Sequence, residues 1–167
     1  MRGLTDTQRD ELAQEYLLAA REHFAELQRL TLDEIRHYPL TYYLAGVTVE
    51  CLFRAYMTLV DAKFDDKHDL RQLAASGQFF RFMPSRQQDH LEAALSDVYR
   101  RWSNAHRYRS ASSLRKFLNQ HGLFKNGQQH LSGDILKPNW EILYDGVDAL
   151  MTIGLERWEL SKTKWNK

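Results

Sequence analysis

Cysteine, proline and acidic charge are each scarce somewhere in this chain, and each scarcity excludes something. A single cysteine, Cys51, in 167 residues cannot build a disulfide framework. It lies in an apolar stretch, where it reads as a small core residue, and a chain without disulfides suits a reducing compartment. Three prolines and 43% hydrophobic residues exclude a disordered chain and favour a helix-rich fold. The opening residues, MRGLTDTQRDEL, lack the apolar segment of a secretory signal, so the expected location is cytoplasmic. There is no GxGxxG, no P-loop and no nucleophile elbow, and the seven histidines are scattered, with no second His or Cys at ligand spacing. Neither a metal nor a cofactor is expected.

Acidic residues are missing altogether between Val98 and Gly133. That window holds Arg100, Arg101, Arg107, Arg109, Arg115, Lys116 and Lys125, a local charge of +7, and leaves 16 basic against 22 acidic side chains elsewhere. Such asymmetry is expected where one face meets phosphates. The alternative is a patch that pairs with the protein's own acidic helices.

The longest apolar run, Pro39 to Phe64, is the segment around which the rest is expected to pack. Between Tyr42 and Val60 only Glu50 and Arg54 are charged. The run is too long for a strand, and Pro39 suits the first turn of a helix. Apolar residues on nearly every face predict a helix surrounded by others. Two opposite charges near its middle argue against a membrane span, since both would be costly in lipid. Four apart, Glu50 and Arg54 are expected to pair; a second reading places them with His68 in a shared cleft.

Around this run the periodicity predicts further helices. Thr5 and Gln8 form a capping box for a helix to about Leu30, with Leu12, Tyr16, Ala20, Phe24 and Leu27 facing inward. After the polar break Asp65–Asp69, residues 69–76 read as a short helix started by Asp69 and closed by Gly77 in a left-handed cap. Gln78 to Met83 reads as an aromatic link. From Pro84 or Ser85 a helix buries Leu91, Leu95, Val98 and Trp102, and residues 103–109 are its last turns or a kink beyond it. A serine at 110, 112 or 113 caps a helix to Gln120, closed by Gly122. The stretch 122–134 is a loop with a turn at Asn126-Gly127 and no convincing strand pairing. A last helix from Pro138 or Asn139 to about Leu160 buries Leu143, Val147, Leu150, Gly154 and Trp158, leaving a frayed basic tail, SKTKWNK. The expected fold is all-α: one domain, 1–167, forming an antiparallel bundle of about five helices.

The run Ala45 to Tyr56, then Lys67-His68-Asp69-Leu70 with Leu73, then Trp102 with Arg107-Tyr108, resembles the HEPN family (higher-eukaryote and prokaryote nucleotide-binding domain). The resemblance covers roughly residues 38 to 110 and implies a four- or five-helix bundle. It implies one of two roles. Some members are metal-independent endoribonucleases, often toxins or defence effectors acting as dimers, with an Arg, four to six residues and a His, commonly followed by a Tyr two further on. Others bind nucleotides or partner nucleotidyltransferases without catalysis.

Arg101 and His106, with Tyr108 beyond, satisfy the catalytic pattern literally. The chemistry fits those residue types: a ribonuclease without metal needs an imidazole to move the 2′-hydroxyl proton and an arginine to hold the phosphate. Arg100 with His106 and Arg115 with His121 satisfy the spacing too, so what favours Arg101 and His106 is position, within the basic window and just before the Arg107-Tyr108 pair. Trp102 departs from the small polar residue usual after that Arg. On a continuous helix the two would point about 140° apart, so the pair needs a kink or a second copy of the chain, hence an expected homodimer.

Three readings follow. The leading one is a HEPN-like module binding RNA or nucleotide phosphate through residues 98–133, in a toxin–antitoxin or defence setting, with contacts from Arg100, Arg101, His106, Arg107, Tyr108 and Arg109. The second is a metal-independent endoribonuclease using Arg101 and His106. The third is a non-catalytic partner module for a nucleotidyltransferase or an antitoxin.

Overall fold

The computed structural model describes residues 5–32, 37–62, 68–126, 129–130 and 134–165. The expected polar break at 65–67, Lys67 of the family-like run and Gly127 lie outside them. Helix α1 (Asp6–Leu32) opens on the predicted capping box: the Thr5 N–H donates to Gln8 Oε1 at 3.0 Å and the Gln8 N–H to Thr5 Oγ1 at 3.3 Å. Its buried line is Ala13, Leu17, Ala20, Phe24 and Leu27, so Leu12 and Tyr16, expected inward, sit only half buried at its edge.

Helix α2 (Tyr38–Leu59) carries Pro39 in its first turn and stops five residues short of Phe64. It is the central helix: α1 covers one side, and α7 (Leu136–Trp165), α3 (Leu70–Ser76), α5 (Ser85–Arg101) and α6 (Ala111–Gln120) cover the others. Two buried tyrosines lock α2 to the two halves of α7. Tyr42 Oη donates to the Leu136 carbonyl and Tyr56 Oη to the Gly154 carbonyl, both at 2.8 Å. Burial pushes both phenols above their usual range. Around Tyr56 the rings of Phe79, Phe82 and Trp158 meet mostly edge to face. Gly154 is small because a side chain there would enter Leu52, 2.7 Å from an added Cβ.

Seven α-helices appear among the described residues, more than the five or so expected, and the all-α reading holds. The surplus comes partly from α4 (Phe79–Phe82), a single turn in the stretch expected to be an aromatic link, and α3 is as short as expected. A two-residue antiparallel ladder pairs Lys125–Asn126 with Gln129–His130, where no pairing was expected; Asn126 of the expected turn closes its first strand. Helix α7 starts two residues before Pro138, where the Leu136 N–H donates to Asp134 Oδ1, and runs on through Trp165 rather than ending near Leu160. Among the described residues no helix is long and apolar enough to cross a membrane.

Gly77 corrects the expected left-handed cap. Its φ is −76°, and the left-handed residue is Gln78 beside it. Gly77 is small for another reason: an added Cβ would lie 2.9 Å from the Met57 backbone nitrogen. Gly122, by contrast, is left-handed as expected, with open space around it. Gly77→Ala should therefore lower stability by about 1–3 kcal/mol through overpacking, whereas Gly122→Asn should cost less than about 1 kcal/mol because Asn tolerates that backbone. Urea denaturation of the two variants checks the contrast.

Candidate functional site

Helix α5 ends abruptly at Arg101. Trp102 is extended, and a short 3-10 turn (Asn104–Tyr108) folds the chain back, capped by Ser103, before Ser110 caps α6 as expected. The cause is Trp102. Its indole lies flat on Gly46 of α2, where a methyl group would overlap the ring, and its Nε1 donates to the Tyr43 carbonyl at 3.2 Å. A continuing helix could not place the ring there, so the kink takes precedence.

This break positions Arg101 and His106 in a way the spacing did not reveal. Arg101 is 5% exposed, with Nη1 donating to Asp97 Oδ1 at 2.6 Å and Nε to Asn139 Oδ1 at 3.1 Å. Asn139 in turn donates to the Leu123 and Ile135 carbonyls, so the arginine ties α5 to the start of α7. His106 is 0% exposed, wedged between Tyr42 and Phe117, and its Nε2 donates to the Arg101 carbonyl at 2.9 Å. Burial lowers its pKa to about 4 against the opposing pull of that carbonyl, with the Arg109 charge adding to the fall. In this arrangement both side chains are turned into the protein, and the geometric reason for expecting a second copy disappears with the kink.

The other basic residues divide. Arg115 sits 3.2 Å from Asp134, both half exposed, a pair worth little. Arg109 lies over the Phe117 ring and Arg107 over Tyr108, which is 79% exposed. Arg100 has no carboxylate partner among the described residues and reaches a cleft of about 550 Å³. Trp102 and Phe117 floor this cleft, Tyr99 walls it, and Ser103 and Asn104 offer polar groups. Arg71 covers one face of Tyr99 at 4.3 Å and is fixed by Ser96. The Asp69 carboxylate at the rim is turned onto the N–H groups of Arg71 and Gln72, capping α3 as expected.

Two histidines complete the cleft. His68 Nδ1 lies 2.8 and 3.0 Å from the two oxygens of Glu50, and Glu50 Oε1 also accepts from Arg54 Nε at 2.8 Å. The expected Glu50–Arg54 pair is present, but the shared-cleft reading is corrected: of its three residues only His68 lines the cleft, because Glu50 is buried and Arg54 faces a separate hollow of about 70 Å³ beside Arg9 and Tyr16. His121, across the cleft, directs Nδ1 to the Phe117 carbonyl at 2.8 Å. Sequence reasoning singled out Arg100 and His68 but missed Tyr99, Asn104, Phe117 and His121. The one signal for His121 was its spacing from Arg115, shared with two other pairs. Among the described residues no group of three His, Cys, Asp or Glu side chains could hold a metal ion.

Compared with known proteins, the chain matches no family model, no curated protein and no solved structure.

The buried imidazole makes stability pH-dependent. His106 binds a proton in the unfolded chain at its ordinary 6.5 but in the fold only near 4. The unfolded state therefore holds more protons between those values, and stability falls as pH drops below 6.5 until the loss saturates below 4. The loss should reach about 2 kcal/mol by pH 5. Urea midpoints at pH 7 and 5 should show it for the wild type, and His106→Gln should flatten the difference.

Proposed function

We propose that this chain is a HEPN-like binding module for single-stranded RNA or a nucleotide, and that the ligand occupies the cleft between the end of α5, the 3-10 turn and the end of α6. The observation that carries this reading is Arg100 lining the cleft beside the exposed Tyr99 ring, with no carboxylate paired to its guanidinium among the described residues. A cation without a partner attracts phosphate, and the exposed Tyr99 ring offers a base a stacking surface, with the buried Trp102 and Phe117 rings behind it in the cleft lining. Ser103 and Asn104 present hydrogen-bonding groups for a base edge. The Arg107–Tyr108 pair on the 3-10 turn does not line the cleft but is a second candidate contact, because an exposed aromatic ring backed by a guanidinium can stack an unpaired base.

Cleavage at Arg101 and His106 is the weaker reading. Arg101 is engaged by Asp97 and Asn139, and His106 is enclosed with a lowered pKa, unsuited to proton transfer near neutral pH.

Fluorescence titration with labelled single-stranded oligonucleotides over a range of salt tests the proposal. Affinity should fall with salt, and Arg100→Ala should weaken binding about tenfold while reducing the log–log slope by about 0.7, the loss of one phosphate contact. Tyr108→Ala should weaken binding without altering that slope. A flat salt dependence would overturn the reading.

A further inference from the structure

His68 is the cleft side chain that the buried interior orients most firmly. Both Glu50 oxygens are acceptors, so the hydrogen on His68 resides at Nδ1 and the neutral ring carries its lone pair on Nε2. Glu50 is buried beneath that Nδ1 edge, while the His68 side chain is 45% exposed, so the opposite edge, with Nε2, is turned to the cleft. Arg54 holds Glu50 from the other side. Across the cleft the same logic applies to His121: Phe117 accepts from Nδ1, which leaves Nε2 outward. Arg100 reaches the same space.

An imidazole whose far nitrogen donates to a carboxylate is a competent nucleophile, because that carboxylate offsets the positive charge the ring acquires as it attacks. A volume of about 550 Å³ suits a single nucleotide end better than a strand passing through. We propose that His68 is a phosphoryl acceptor for a terminal phosphate monoester or anhydride bound in the cleft. This rests on the cleft taking a phosphate ligand as proposed above.

The lone pair of His68 Nε2 forms the N–P bond while the bond from phosphorus to the leaving oxygen breaks. That oxygen keeps the electron pair and takes a proton from protonated His121. Arg100 holds the transferring phosphoryl oxygens as charge shifts among them. Water then attacks phosphorus, the N–P pair returns to Nε2, and the water proton goes to His121, now neutral. The sum is a phosphate monoester plus water giving an alcohol and inorganic phosphate, or, for an anhydride such as ATP, ADP and inorganic phosphate, with no metal or redox partner in the balance.

The test uses the full chain in EDTA with ATP labelled at its γ-phosphate, alongside equilibrium dialysis with the same nucleotide. The expected result is label on the protein that is lost in acid and stable in alkali, the signature of a phosphorylated histidine. His68→Asn should abolish it, His121→Gln should slow its formation roughly 100-fold, and His90→Asn, on the exposed face of α5, should leave it unchanged. Circular dichroism confirms that each variant is folded. Label that persists in His68→Asn overturns the proposal. Nucleotide binding in dialysis without any label overturns it too, and leaves the binding reading standing. No binding and no label removes both.

Discussion

Burying α2 over most of its surface obliges its buried polar groups to find partners within the protein, since an unsatisfied buried group costs several times what a made hydrogen bond contributes. Thr48 and Thr58 return their hydroxyls to carbonyls one turn back. Tyr42 and Tyr56 reach across to α7. The charged residues Glu50 and Arg54 satisfy one another, and breaking such a pair by removing one partner costs about 3–5 kcal/mol. Because Glu50 has two oxygens, it holds His68 as well, and the interior of the bundle thereby sets the orientation of a ring at its surface. The requirement that stabilises the core is the same one that arranges the cleft.

The second constraint is the fit of Trp102 to Gly46. A flat ring laid on a helix backbone needs a position without a side chain, and the closeness of that contact ends α5 and turns the chain into the 3-10 segment. The turn sends His106 inward, between Tyr42 and Phe117, and places Ser103 and Asn104 on the cleft. One packing decision thus divides a short basic segment into interior and surface. Arg101 and His106 become structural ties, while Arg100, Arg107 and Tyr108 remain outside.

Several local signals agree with the structure. Thr5, Asp69 and Ser110 cap helices because a cap is a matter of three or four residues. The buried lines of α5 and α7 follow from period alone, and the pairing of Glu50 with Arg54 follows from their separation of one turn. Where residues three and four apart offered competing faces, as with Leu12 and Tyr16 against Ala13 and Leu17, the choice belonged to the angle at which α1 meets α2, which periodicity does not contain.

The sequence by itself determined an all-α bundle, its central apolar helix and a basic segment without acids, because composition and period are properties of neighbouring residues. It could not decide where the three Arg–His pairs would lie, in the interior or on the surface. Burial of His106 depends on rings from α2 and α6, and the presence of His68 and His121 on one cleft depends on how different helices pack. Gly77 makes the same point in one residue, its smallness set by the backbone of Met57 rather than by a left-handed turn. Those are relations between distant parts of the chain, and only close packing of the helices establishes them.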